Sequence, residues 1–208
     1  PLAPSHQTLA TLLKKQGYRT GGFVSAYPVA GNFGFSEGFD EFSEGFHEAA
    51  DPGAGAAERP ANEAVDVALA WLRKESDAPF FAWLHLYDPH TPYKPPPPFD
   101  AAFKDRPYDG EIAFVDVQIG RVMDWLKTSG HEADTVVAMV ADHGESLGEH
   151  NLYFEHGPLP YNTAIWVPLV VWWQGPRVER DGRRVERTVE LIDLLPTMLE
   201  SLFPAADP

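Results

Sequence analysis

Ala141-Asp142-His143-Gly144-Glu145 closes a very apolar stretch of this 208-residue chain. That stretch, Thr135-Val136-Val137-Ala138-Met139-Val140, is too short for a helix and shows no polar alternation. It has the pattern of a strand buried in a layered α/β sheet. A strand that stops at Asp-His-Gly sets a carboxylate and an imidazole side by side at its C-terminal end. Gly144 lets the backbone turn sharply there. In open α/β sheets that edge is where ligands bind. A carboxylate oxygen with an imidazole nitrogen makes a partial shell for a divalent metal. The simpler reading is a strand-end turn capped by Asp142 with His143 solvated, and the tetrapeptide alone leaves both open.

The rest of the chain alternates helices and strands. Ser5 can cap a helix whose apolar face is Leu9, Leu12 and Leu13, closed by Gly17. Tyr18 to Ser25 reads as a strand. Residues 26–47 carry Phe33, Phe35, Phe39, Phe42 and Phe46 among glycines, and read as an ordered loop with a short strand near Phe39–Phe42. Residues 49–59 are Ala/Gly/Pro-rich and read as mobile. Pro60 suits the first turn of a second helix, buried on Ala64, Val65, Ala68, Leu69 and Leu72.

Phe80 to Tyr87 reads as a strand ending at Asp88-Pro89-His90-Thr91-Pro92-Tyr93. The run Pro95–Pro98 suits a rigid surface loop better than a polyproline ligand. A long helix is predicted over 108–128, with Ile112, Val115, Ile119, Val122, Met123 and Leu126 at helical spacing and Gly130 ending it. Val167 to Trp173 reads as another buried strand, and Leu194–Phe203 as a helix with Pro196 in its first turn. The order predicts an α/β layer fold with a largely parallel sheet.

The net charge of −15 argues against nucleic acid or an anionic membrane as a main partner. No apolar run is long enough to span a bilayer. There is no cysteine, hence no disulfide framework and no thiolate metal site. At 44% hydrophobic residues the chain is globular, with enough length for one sizeable core. The chain opens at Pro1 and reads as an internal piece of a longer protein.

Two strands end in histidine-bearing turns, at His90 and at Asp142-His143. If the strands are parallel, both turns share one edge. A metal beside an imidazole can hydrolyse an ester of a strong acid, because the metal polarises the ester oxygens and the imidazole carries a proton or positive charge to the leaving group. The loop over 147–163 adds His150, Glu155 and His156. Alone, His90 reads as a turn histidine between prolines and His156 as a solvated loop residue. His85 alternates with Phe81, Trp83 and Tyr87 and reads as a satisfied core histidine. His6, His47 and His131 read as surface residues, and Trp172-Trp173 as core packing.

Together these motifs resemble the sulfatase family of the alkaline-phosphatase superfamily, in order along most of the chain. They are Thr8 through Gln16-Gly17-Tyr18-Arg19-Thr20, Pro79-Phe80-Phe81 through Tyr93, and Tyr108-Asp109-Gly110-Glu111 through Val115-Asp116 and Gly120-Arg121. Asp142-His143-Gly144-Glu145 with Gly148-Glu149-His150, then Val167-Pro168-Leu169 and Asp193-Leu194-Leu195-Pro196-Thr197, complete the series. The resemblance implies an alkaline-phosphatase-like sandwich with a largely parallel central sheet flanked by helices. It implies one catalytic domain over residues 1–208, incomplete at both ends.

The resemblance also implies a sulfuric ester hydrolase with one divalent metal ion (Ca, Mg, Mn or Zn). Asp142 and His143 would ligate that ion. His90 would contact the transferring group or the leaving oxygen, and His156 would stand where a cationic side chain binds the anionic ester. Many sulfatases have asparagine at the position of His143, whereas histidine is common in the phosphonate- and phosphodiester-hydrolysing branches. The lysine and histidine of the family's Gly-Lys-Trp-His segment are replaced by Phe23-Val24-Ser25-Ala26-Tyr27. A phosphodiester or phosphonate monoester hydrolase, or a phosphotransferase, is therefore the nearest alternative. A non-catalytic binding module on the same fold is the alternative of another class. The implied partner is a small anionic ester or a sulfated glycan, and the implied location is periplasmic or secreted. The nucleophile and paired aspartates of the family are expected upstream of Pro1 and its small C-terminal sheet beyond Pro208, so the 208 residues alone are expected to be inactive.

Overall fold

The computed structural model describes residues 1–3, 6–47, 57–156, 159–173 and 182–203. The chain divides into two compact units, Pro1–Trp125 and Leu126–Pro208.

The first unit opens with helix α1, Leu9–Lys15. Its cap is Thr8, whose hydroxyl accepts the Thr11 N–H at 3.1 Å while the Thr11 hydroxyl accepts the Thr8 N–H at 2.9 Å. The expected cap, Ser5, lies outside the described residues. Gly17 follows at φ +84°, where a side chain would be strained.

Strand β1 (Arg19–Val24) is the centre of a three-stranded parallel sheet, between β2 (Glu41–Ser43) and β3 (Phe80–His85). Gly21 and Gly22 in β1 admit aromatic rings onto the strand. A Cβ on Gly21 would lie 2.9 Å from the Phe23 and Trp71 rings, and one on Gly22 would lie 2.6 Å from Phe42. Helix α2 (Ala61–Leu72) packs on this sheet, and all five residues of its predicted apolar face are buried. Phe23, Val65, Ala68, Leu69, Trp71 and Leu72 form the core. Residues 48–56, most of the stretch read as mobile, lie outside the described residues.

After β3 come a short helix α3 (Phe99–Ala102) and the long helix α4 (Pro107–Thr128), whose last turn enters the second unit. The buried face of α4 differs from the predicted one. Leu126 is buried as predicted and Val115, Ile119, Val122 and Met123 are half-buried, but Ile112 is exposed, and Glu111, Phe114 and Gln118 are buried. The cause is polar: the Glu111 carboxylate accepts main-chain N–H groups from the turn after β3, which rotates this face of the helix inward.

In the second unit, β4 (Val136–Val140) pairs antiparallel with β7 (Leu169–Trp173), Val140 opposite Leu169. β5 (Ser146–Leu147) and β6 (Tyr153–Glu155) form a separate antiparallel pair, followed by α5 (Asn162–Ile165). Helix α6 (Leu194–Leu202) comes last, beginning where predicted and buried on Met198. β4 and β7 are not the fully buried strands their apolar runs predict. Met139, Leu169, Val170 and Val171 are exposed, while Trp172 and Trp173 are half-buried. Among the described residues this sheet has two strands only, and a two-stranded ribbon cannot cover both of its own faces. β3 and β4 also belong to different sheets, so strand pairing does not give His90 and Asp142 the common edge expected of them. Among the described residues, no helix is long and apolar enough to cross a membrane.

Candidate active site

Asp142 and His143 stand where β4 ends, as the apolar run predicted. The Asp142 carboxylate accepts the N–H of its neighbour His143 at 3.0 Å, just past the end of the strand. Its side chain is 82% exposed, and Oδ1 lies 3.8 Å from His143 Nε2. His143 Nδ1 lies 2.8 Å from the Gly144 carbonyl. A carbonyl only accepts, so Nδ1 is the donor there, and Nε2 is the ring nitrogen on the side of Asp142.

Gly144 also allows a close approach between segments. A Cβ there would sit 2.0 Å from the Thr163 carbonyl oxygen, and the Gly144 N–H donates to Ala164 O at 2.7 Å. The glycine thus lets the turn press against the start of α5. Ser146 and Thr163 hydroxyls, 3.0 Å apart, add a second tie between the same segments.

His156 is brought onto this turn. Its ring stacks on His143 at 4.1 Å between centroids, 14° from parallel. His156 Nδ1 lies 3.3 Å from Glu145 Oε1, whose side chain is almost fully buried. Asp142, His143 and His156 line an open cleft with Leu159, Pro160, Ala164, Ile165 and Leu191. Sequence reasoning passed over Glu145 as a partner of His156. Its signal was position: two residues after His143, it returns to the same side of an extended segment. His150 goes elsewhere and stacks on Tyr161 at 3.8 Å, and the side chain of Glu155 lies outside the described residues.

A divalent cation fits what is present here as part of its shell. Asp142 and His143 offer one carboxylate and one imidazole nitrogen, 3.8 Å apart, a hard oxygen and a borderline nitrogen that such ions accept together. The Gly144 carbonyl bonds Nδ1, the kind of outer hydrogen bond that metal-ligating histidines usually make through their other nitrogen. Among the described residues, no group of three or more metal-binding side chains converges.

His90 lies in the first unit. Its Nδ1 donates to the Thr91 carbonyl at 2.7 Å, which leaves Nε2 to accept the Tyr87 hydroxyl at 2.9 Å. The Tyr87 and His90 rings stack at 4.1 Å. His90 is thus a turn histidine between prolines whose ring is held by Thr91 and Tyr87. Asp88, at the head of the turn, accepts the Ala61 N–H at 2.9 Å and so caps α2 from a distance, and burial raises its carboxyl above the ordinary range. His85 accepts the Ser25 N–H at 3.4 Å, as a satisfied core histidine should, and His6, His47 and His131 are exposed.

The parallel sheet with flanking helices, joined to a strand ending in Asp-His-Gly, defines an alkaline-phosphatase-like α/β fold. The solved phosphonate monoester hydrolase of Agrobacterium radiobacter shares it, with a TM-score of 0.76 at 21% identity over 97% of this chain and 59% of that one. So does a protein solved in complex with its substrate D-glucosamine-2-N,6-O-disulfate, with a TM-score of 0.68 at 17% identity over 82% of this chain and 56% of that one. The sulfatase family model matches residues 1–202, and the chain belongs to the sulfatase family. An arylsulfatase of Clostridium perfringens is 26% identical over 183 residues, 68% of this chain and 38% of the relative. The chain thus spans less than two thirds of the length of each of these proteins.

Proposed function

We propose that the protein is a metal-dependent hydrolase of sulfate esters, and that residues 1–208 belong to its single catalytic domain. The observation that carries this reading is the Asp142–His143 pair at the end of β4, with His156 stacked on His143 in one open cleft. Asp142 and His143 would hold the divalent ion, Ca, Mg, Mn or Zn. When bound, such an ion polarises the ester oxygens as a Lewis acid. The Gly144 carbonyl holds the His143 ring through Nδ1, with Nε2 on the side of Asp142. His156, set by the buried Glu145 carboxylate, presents its ring to an anionic ester in the cleft. His90 contacts the transferring group or the leaving oxygen, with its tautomer set by Thr91 and Tyr87. The partner is a small anionic ester or a sulfated glycan.

A second reading is phosphonate monoester or phosphodiester hydrolysis, or phosphoryl transfer, on the same residues. It is favoured by the imidazole at position 143 and by the likeness to the phosphonate monoester hydrolase.

The test is metal content by elemental analysis, with hydrolysis of an aryl sulfate and an aryl phosphonate monoester, in the intact protein. Asp142→Ala and His143→Ala are each expected to lose the metal and to lower hydrolysis on the order of a hundred- to a thousandfold. The better ester of the two decides between the readings. Metal content and hydrolysis unchanged in both variants would remove the assignment. A metal-loaded protein that hydrolyses neither ester would leave a binding module.

A further inference from the structure

The turn that carries His90 is held by one side chain from another element. Pro89 and Pro92 have no N–H to offer, and the main-chain N–H groups of His90 and Lys94 both point to one carboxylate. A buried N–H without an acceptor is costly. Glu111, in the second turn of α4, supplies both acceptors: Oε2 takes the His90 N–H at 3.1 Å and Oε1 takes the Lys94 N–H at 2.5 Å. The residue is 4% exposed. Its neighbour Gly110 makes the approach possible, because a Cβ there would lie 2.9 Å from Pro95 and 3.0 Å from Phe103. Gly110 and Glu111 thus act together, one letting the helix close on the turn and the other bracketing its two N–H groups.

We propose that Glu111 is a positioning residue: by gripping the His90–Lys94 turn at both ends it sets where the His90 imidazole stands for its ester. This rests on the substrate contact proposed for His90. No other common side chain does the same. Glutamine of equal length has one carbonyl oxygen, aspartate is one methylene short, and an apolar residue leaves both N–H groups unpaired.

The charged groups around Glu111 give the grip a pH dependence. Asp88 from the turn and Glu58 from the segment ahead of α2 add negative charge, and the N–H groups of His90 and Lys94 oppose them. Burial is the largest influence, and the carboxyl is pushed up to about 7. Protonation turns one oxygen into a hydroxyl, so one of the two N–H bonds weakens below that pH.

The experiment is amide hydrogen exchange by NMR on the intact protein, read as protection factors. Glu111→Gln is expected to lower protection about tenfold at His90 or Lys94, and Glu111→Asp at both. The amides of β1 and β3 should stay unchanged. Unchanged protection at His90 and Lys94, or an equal loss throughout β1 and β3, would overturn the proposal. Should neither variant fold, the wild type carries the test alone. Protection at His90 and Lys94 should rise through pH 7 while that of β1 does not, and a flat or parallel response would overturn it. In the intact protein, Glu111→Gln should lower kcat about tenfold with little change in KM. Hydrolysis unchanged in His90→Ala, with the exchange result intact, would remove the role of His90 and leave the hold of Glu111 on its turn.

Discussion

The Pro1–Trp125 unit and the Leu126–Pro208 unit spend similar apolar residues differently. In the first, β1 lies between two parallel neighbours under α2, and Phe23, Val24, Val65 and Leu13 are sealed from water. In the second, apolar residues stand at the surface: Trp166 is 80% exposed and Ile192 77%, and β4 and β7 expose Met139, Val170 and Val171. A three-stranded sheet with a helix on it buries side chains by layering, whereas a two-stranded ribbon is marginal alone. Order in the second unit is instead carried by polar ties around the site: Asp142 to its neighbour, Gly144 to Ala164, Ser146 to Thr163, and Glu145 to His156. Both regions hold their histidines by polar contacts, but only the first sets them on a packed layer.

Four substitutions would break or sharpen that contrast. Phe23→Ala should cost about 3–5 kcal/mol by urea unfolding, as the loss of a fully buried ring in contact with Trp71. A loss below about 1 kcal/mol would mean that the first unit is not the packed one. Gly144→Ala should cost about 1–3 kcal/mol, because the new Cβ forces apart the turn and Thr163. An unfolding midpoint equal to wild type would show that the turn yields freely.

The third concerns Glu111. Its carboxyl is raised in the folded chain from an ordinary value of 4.5 to about 7, so the native state binds this proton more tightly than the unfolded chain. The stability this contributes is complete below pH 4.5 and is lost as pH rises through 7. Wild type should therefore lose stability relative to Glu111→Gln between pH 5 and 8, read from urea midpoints across that range. Parallel trends in the two proteins would contradict the raised carboxyl. The smallest effect is expected at Val170→Thr, within about 0.5 kcal/mol, because that side chain already faces water. A cost above about 2 kcal/mol would mean that this face of β7 is covered in solution.

Much of the fold was legible residue by residue. The apolar face of α2 follows helical spacing, and β1, β3 and β4 were recognised from apolar runs bounded by glycine and proline. Asp142 and His143 were found because a strand's end is a local event. His156 could be named but not placed, since its stacking on His143 depends on how the hairpin between them folds. Ile112 was put on the wrong face of α4 because apolar spacing cannot register a buried carboxylate. Glu111 shares helical spacing with Phe114 and Gln118, a pattern that reads as polar interruption until its two N–H partners are known.

By itself, the sequence determined the longer helices and strands (α1, α2, α4, α6, β1, β3, β4 and β7), the family, and the two adjacent side chains at the end of β4, but not the short elements α3, β5, β6 and α5. These rest on torsional preference and on the period of apolar residues, which are properties of neighbours along the chain. The tertiary structure alone decided that β4 pairs antiparallel with β7, that Gly144 presses on Thr163, that Glu145 meets His156, and that Glu111 grips the His90 turn. Each of those joins groups separated along the chain. The free energy of a buried polar group depends on the partner it finds there, and no local pattern encodes that partner.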